Sequence, residues 1–412
     1  MSDNPKIEYR KLTPEEKFYF ERLQGFVFGN GHMNEKEMRE RLAKGEMKSD
    51  NSYGAIDENG RVLAGLEIIP YTMWFDGNKV SMYGIAGVAS LPESRRLGNV
   101  RKVFEKAMKD IYEQGGVFSH LYPFSQDYYR KFGYEQAGAA KKYILPLEPA
   151  RKFKTSGSAH EYIAKDGEII KDEGNVIRNR LIEIYEIYAA KHNMMLSRSN
   201  HRWNEVLNVS LLGLERVYFW KDSEQNIKSW AKFKKNNETI DIYDIAWTDC
   251  ESMLGILQFI GMFDGAAEKM SVKASPEFVA ELFWNNLYNI EIHTDWMGMN
   301  RVVNVKRALE LMKKPEENGR FTIKVIDDFA DWNNHTYLVE YGGGNCKVSE
   351  TSPNDTEIGA DIETSARALI QMLLGVYELE QIAQRDDVRV NGNMQKLKRL
   401  FYKKNMLLTD YF

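Results

Sequence analysis

The sequence predicts an α/β protein of mixed sheets arranged in three successive units, and three observations carry that expectation. A small-residue apolar strand over 85–90 runs through a loop holding Arg95 and Arg96 into a helix. The apolar positions of that helix, Val100, Val103, Phe104, Ala107, Met108 and Ile111, share one face. The order strand, hairpin, strand, helix, strand returns over 216–274. A last region, from about 296 onward, again mixes helices and strands, punctuated by Pro315 and the glycines at 342–344. At 412 residues the chain is too long for one ordinary core, so two or three domains are expected.

Helices are expected over 14–28 and 34–43, then strands over 52–56, 62–70 and 80–90, with Asp76-Gly77-Asn78 as a hairpin turn. The helix after the arginine loop stops at Gly115-Gly116. Strands over 117–121 and 141–147 then close a first unit, residues 1–147. Residues 148–157 read as a polar linker into a second unit, 148–292. That unit holds a helix over 176–192, strands over 216–220, 227–233 and 239–246, a helix over 251–261 and a strand over 269–274. The third unit, 293–412, opens with a helix ending at Lys313-Lys314-Pro315, followed by strands over 320–327, 335–341 and 345–349. Residues 361–363 open a helix running over 365–374 to Gly375, a second helix covers 378–385, and 390–412 holds a basic helical stretch.

Composition excludes several classes. An apolar content of 43% with 28% charged residues is that of a soluble globular protein. A net charge of -4 argues against general nucleic-acid affinity and leaves room for a cationic substrate. The first ten residues contain no apolar signal core, and no apolar run approaches membrane-spanning length. Cys250 and Cys346 are the only cysteines, which gives neither a disulfide framework nor a zinc cluster, so no metal is expected and the expected setting is the cytosol.

Chemistry concentrates at the first strand-to-helix junction. The open N–H groups of a helix start, its positive dipole end, and Arg95, Arg96 and Arg101 together make an anion site. Gly98 lets the backbone approach a phosphate. The spacing Arg95-x-x-Gly98-x-Val100 resembles the acyl-CoA pyrophosphate loop of GNAT N-acetyltransferases, with Val100 in place of the final small residue. The plainer reading is a strand-turn-helix with solvated arginines. Leu121 to Tyr134 adds a second resemblance: in GNAT enzymes a strand splays here, a short helix follows, and a turn like Phe132-Gly133-Tyr134 leads to the last strand. The resemblance makes Tyr129, three residues before Phe132, the general acid. With a reference pKa near ~10, a tyrosine stays protonated at neutral pH and can donate to a departing thiolate. Against that stands ordinary packing, the fate of most of the 22 tyrosines. The second unit reads as a degenerate GNAT-like copy. Its junction, Trp247-Thr248-Asp249-Cys250-Glu251, has no arginine and no glycine, and its two carboxylates would repel a pyrophosphate.

The whole chain resembles the Eis (enhanced intracellular survival) acetyltransferases, tandem GNAT units with a third domain like a sterol carrier protein. Three features carry this: the Met-rich boundary Met297-Gly298-Met299 followed by Arg301-Val302-Val303, the helix pair within 369–383, and the aromatic end Tyr411-Phe412. The resemblance implies acetyl-CoA as co-substrate, with Val88, Ala89 and Ser90 on the pantetheine arm and Arg95, Arg96, Leu97, Gly98, Asn99, Val100 and Arg101 at the pyrophosphate. Phe124 and Ser125 occupy further CoA-contact positions, Phe124 departing from the expected small polar residue. Tyr129 is the implied acid and the carboxylate of Phe412 the implied base. A homohexamer built from trimers is also implied.

The implied reaction is direct attack of a neutral primary amine on the acyl thioester, with strand amides beside Val88 polarising the carbonyl. An α-carboxyl, with a reference pKa near ~3.5, is a weak base unless burial raises it. Glu67 in its apolar strand is an alternative base or a solvent-facing residue. His120 reads as structural, and Phe26, Phe28, Trp74 and Phe75 as acceptor-pocket lining or core. The acceptor is an aminoglycoside, polyamine or lysine amine. The alternatives are an acyltransferase with a longer acyl donor, or a non-enzymatic lipid- or small-molecule-binding protein.

Overall fold

The computed structural model describes residues 6–29, 34–164, 171–210, 212–351 and 359–411. The first sheet begins with β1 (Glu8–Lys11), β2 (Ser52–Ile56), β3 (Val62–Phe75) and β4 (Asn78–Ser90), antiparallel in that order, and continues with β5 (Phe118–Leu121) parallel to β4. Helix α1 (Pro14–Phe28) starts where Thr13 and Glu16 cap each other reciprocally and stops on Gly29 in the left-handed conformation. α2 (Glu35–Ala43) follows an Asn34 cap. Asp76 and Gly77, at φ 49° and 80°, make the tight turn between β3 and β4. α3 (Asn99–Glu113) is the crossover from β4 to β5 and buries Val103, Phe104, Ala107, Met108 and Ile111 against Tyr53, Leu66 and Ile68 of the sheet. α4 (Gln126–Arg130) and β6 (Glu135–Gln136) follow.

Next come β7 (Ala139–Pro146), α5 (Leu147–Arg151), β8 (Ser158–Tyr162), α6 (Lys171–Ala189), β9 (Leu196–Ser197) and α7 (Asn200–Leu207). A hairpin of β10 (Glu215–Lys221), β11 (Ile227–Asn236) and β12 (Thr239–Trp247) leads through α8 (Cys250–Gly261) to β13 (Lys269–Ala274) and β14 (Glu291–Trp296). The second sheet repeats the plan of the first. β8, β10, β11 and β12 are antiparallel neighbours, and β13 lies parallel to β12 after a helical crossover.

One strand expectation is corrected. Residues 141–147 do not close the first sheet: β7 pairs with β13 and β14 in the second, where Tyr143 and Leu145 are fully buried. The vacated place beside β5 is taken by β15 (Met299–Val302), which pairs with both β5 and β6. The chain therefore passes from the first sheet to the second between β6 and β7, and returns to it between β14 and β15.

After α9 (Val305–Leu311), β16 (Gly319–Ile326), β17 (Thr336–Gly342), β18 (Asn345–Thr351) and β19 (Ile362–Ser365) build the third sheet. α10 (Ala366–Leu374) and α11 (Leu379–Ile382) precede its last strand, β20 (Val388–Val390), and α12 (Met394–Lys398) ends the regular structure. The helix expected over 365–374 is α10, while the residues that lead into it, expected as its opening, form β19 instead. The Asp361 carboxylate accepts from the Thr322 amide and hydroxyl and ties the segment to β16, and the helix starts on a Ser365 cap. The basic stretch is helical for only five residues. Beyond it the tail runs extended, burying Met406, Leu407 and Leu408, with Lys404 paired to Asp76 at 2.6 Å.

Candidate active site

The β4–α3 junction forms one wall of a cleft of about 810 Å³. Val88, Ala89 and Ser90 line it from β4, and Arg95, Arg96, Gly98, Asn99, Val100 and Arg101 from the loop and helix start. Phe124 lines the opposite side together with Tyr128, Lys131 and Phe132, while Val27 and Phe28 reach in from the end of α1. Gly98 caps α3 at φ 81° and no side chain caps the helix. Its left-handed backbone favours glycine, and the first-turn amides stay open toward the cleft. Arg96 is also left-handed, at φ 64°.

Among the described residues neither Arg95 nor Arg96 is in an ion pair. Arg101 is partly spent: it donates to Glu105 at 3.0 Å and lies over Phe329 at 5.3 Å. Asn99 is buried, with its Oδ1 accepting from Tyr9 at 3.0 Å, and its Nδ2 is a buried donor without a partner among the described residues. Such an orphan at the lip of a cationic cleft, beside an uncapped helix start, suits an anionic ligand that supplies the acceptor. Leu97 points to solvent at 67% exposure and does not line the cleft. Ser125 does not line it either; its hydroxyl accepts from the Tyr128 amide and caps α4.

Tyr129 sits behind the cleft wall rather than in its lining. It is 3% exposed and packs edge-on against the rings of Phe124 at 5.4 Å and Tyr128 at 5.3 Å, both of which face the cleft. Burial pushes its hydroxyl pKa above the usual tyrosine range. Arg301, fully buried on β15, holds this wall from behind: it donates to the Phe132 carbonyl and to Asp327, the latter at 2.6 Å.

Glu67 is engaged. Buried Lys17 pairs with it, and the Gln24 amide donates to it at 2.9 Å. Its strand parity turns it toward α1. His120 is fully buried with Nδ1 2.9 Å from Asn300 Oδ1, and burial lowers its pKa to about 4. Phe75 is core, Trp74 stacks under Lys79, and Phe26 lines a neighbouring groove.

Phe412 lies outside the described residues. The chain leading to it runs beside the end of β5. The Tyr122 hydroxyl donates to the Asp410 carbonyl at 3.0 Å, and Tyr411 stacks on Tyr122 at 5.1 Å. The Asp410 carboxylate is gripped by Arg198 at 3.0 Å and Arg202 at 2.9 Å. Beside this anchor a second cleft, about 770 Å³, is lined by Tyr71, His201, Arg202, Glu205, Asp410 and Tyr411 among others. Sequence reasoning missed Lys131 and the two donors that hold Glu67, Lys17 and Gln24. The signal was a polar stripe, Lys17, Glu21 and Gln24, at helical spacing on α1.

Among the described residues no cluster of three His, Cys, Asp or Glu could hold a metal ion, and no helix is long and apolar enough to cross a membrane. Among curated proteins none matches the chain. Over their whole lengths, solved structures share its fold. A GCN5-related N-acetyltransferase of Anabaena variabilis superposes with a TM-score of 0.79 at 20% identity, covering 99% of this chain and 100% of that one. A protein of Enterococcus faecalis described as a probable N-acyltransferase gives 0.80 at 20% identity, with the same coverage. Eis1 of Mycobacterium abscessus gives 0.75 at 15% identity, again over 99% and 100%. The family described as the acetyltransferase (GNAT) domain matches residues 8–137, and that described as the sterol carrier protein domain matches residues 305–408. The cleft thus belongs to a GNAT acetyltransferase domain, carried in one chain with a sterol carrier protein domain.

Proposed function

We propose that the protein transfers an acetyl group from acetyl-CoA to a primary amine by direct attack within the β4–α3 cleft. One observation carries the reading: an uncapped helix start with two arginines that form no ion pair among the described residues adjoins an interrupted strand pairing. That is a built anion site beside exposed strand amides. Arg95, Arg96 and the first amides of α3 hold the pyrophosphate, with Lys131 and Arg101 as further cations. The pantetheine arm runs along Val88, Ala89 and Ser90.

The amine, having lost a proton, attacks the thioester carbonyl while a strand amide beside Val88 takes up the charge growing on oxygen. The carbon–sulfur bond then breaks, the departing sulfur receives its proton from Tyr129, and the surplus proton on the acylated nitrogen returns to the Tyr129 oxygen, leaving the amide and the CoA thiol. Burial favours the protonated form of that hydroxyl, so the donor state persists through the neutral range. Glu67, already gripped by Lys17, is a poor candidate to take the ammonium proton. The Phe412 carboxylate is the proposed base, supported by the path of residues 406–411 toward the end of β5. The second cleft beside Tyr411 is the proposed approach for the acceptor.

Eis-type membership, a cytosolic setting and a homohexamer are part of the same proposal. The hexamer is supported by a run of exposed apolar side chains, Ile292 and Trp296 on the edge strand β14 and Leu282, Leu287 and Tyr288 in the turns that precede it. The test of function is thiol release from acetyl-CoA with a panel of aminoglycosides, polyamines and lysine peptides. Tyr129→Phe should keep acetyl-CoA affinity within about twofold and lower kcat by about 10²-fold or more. Full turnover in Tyr129→Phe with loss in Tyr128→Phe would move the acid role to Tyr128.

A further inference from the structure

We infer that Gln24 is a positioning residue for the thioester: by holding the carbonyl of Gly87 it aims the Val88 amide at the substrate oxygen. The inference rests on the reading that a β4 amide takes up the oxyanion charge.

The β3–β4 ladder is interrupted at one place. Gly65 pairs with Ala89 and Glu67 with Ala86, so Gly87 and Val88 together face Leu66 alone. This two-against-one arrangement is a β-bulge, which re-aims the peptides it contains. Gly87 stands at φ 58°, in the left-handed region. A Cβ there would lie 1.9 Å from Gln24 Nε2, so α1 rests directly on the bulge. Glycine is needed for two independent reasons, the backbone conformation and the close approach of a side chain.

The Gln24 amide donates to the Gly87 carbonyl at 3.1 Å and to Glu67 Oε1 at 2.9 Å. Both partners are acceptors, so only the NH₂ end of the amide can face them. Glu67 is fixed in turn by Lys17, 5% exposed, which also lies 3.5 Å from Glu21. In a trans peptide the carbonyl oxygen and the following N–H point in opposite directions. Pinning the Gly87 oxygen toward α1 therefore turns the Val88 N–H away from α1. Val88 is a lining residue of the cleft. Lys17, Glu67, Gln24 and Gly87 thus form a relay of fixed groups ending on one peptide plane, in which Glu67 only supplies an acceptor for the Gln24 amide.

The experiment compares wild type with Gln24→Leu and Glu67→Gln. It reads acetyl-CoA affinity by calorimetry, kcat and KM, and the carbonyl stretch of bound 13C-labelled acetyl-CoA by isotope-edited infrared difference spectroscopy. In Gln24→Leu the expected result is affinity within twofold, kcat lower by about tenfold, and a stretch shifted back toward its solution frequency. In Glu67→Gln the amide oxygen still accepts from Gln24, so kcat should stay within about threefold and its pH profile should not move. Wild-type kcat and an unshifted stretch in Gln24→Leu would overturn the inference and leave the acetyltransferase reading standing. Loss of acetyl-CoA binding in Gln24→Leu would also overturn it, by showing that the residue supports the fold of the cleft. If Gln24→Leu does not fold, Glu67→Gln decides: a flattened pH profile with large loss of kcat would make Glu67 the base and overturn the relay. Wild type that neither binds nor consumes acetyl-CoA would remove both readings together.

Discussion

Two strand-to-helix junctions in this chain share a topology and differ in the loop that joins strand to helix, residues 91–98 in one and 248–249 in the other. In the first sheet β4 passes to α3 through Arg95 and Arg96, and Gly98 leaves the helix start without a side-chain cap. In the second sheet β12 passes to α8 through Asp249, whose carboxylate accepts from the Ser252 amide at 2.8 Å while Ser252 reaches back to the Asp249 amide. The Thr248 hydroxyl adds a second bond to the same carboxylate, at 2.9 Å. Each helix start presents the same open amides and the same positive dipole end. Asp249 answers them from within, which stabilises the helix and closes the anion site. Gly98 leaves them open, which forgoes that stability and keeps a ligand site. The difference between the proposed acyl-CoA cleft and the second junction therefore lies in the capping residue, the charges beside it and the length of the loop.

The comparison can be broken most directly by moving the cap. Gly98→Asp should abolish acyl-CoA binding, at least 10²-fold by calorimetry, because a carboxylate would occupy the amides and repel the pyrophosphate. Aspartate tolerates the left-handed backbone better than most residues, so circular dichroism should remain that of wild type. Next in size, Arg96→Ala should weaken acyl-CoA about tenfold with little change in kcat at saturation, since it removes ground-state binding. The smallest effect is the reciprocal one. Asp249→Ala should cost about 1 kcal/mol of stability in denaturant melts and create no second acyl-CoA site, because the junction still lacks arginines. A measured stoichiometry of two in Asp249→Ala would mean the cap alone separates the two units.

Local chemistry explains which parts of this architecture could be read in advance. α1 and β2 were legible to the residue because Thr13, Pro14 and Gly29 mark helix ends chemically, and the Ser52 to Ile56 run is short and apolar. The cleft residues were legible because Arg95, Arg96 and Gly98 act within four positions of one another. Pairing partners were not. The pattern of β7 fits either sheet, and what excludes it from the first is β15, whose Asn300 meets His120 across 180 residues. The relay on Gly87 was hidden for the same reason, since Gln24 lies 63 residues from the carbonyl it holds. Leu97 and Ser125 illustrate the converse. Both sit inside a recognisable motif, yet one faces solvent and the other caps a helix, because a motif fixes spacing and not side-chain direction.

The place of β15 has a consequence for how the protein comes to be folded. Until residues 299–302 have been made, β5 lacks its antiparallel neighbour and β6 has none within the sheet. The Phe132 carbonyl, too, waits on Arg301, 169 positions later in the chain. A nascent chain that has emerged as far as α4 therefore carries an unpaired strand edge through the synthesis of the whole second sheet, the kind of edge that invites mispairing. Contacts of such long range also slow folding, because loop closure must be met before any of them forms. Maturation of the catalytic sheet is in this way timed to the arrival of the third unit. Fragments cut near residue 147 should accumulate as aggregates rather than as a small independent enzyme.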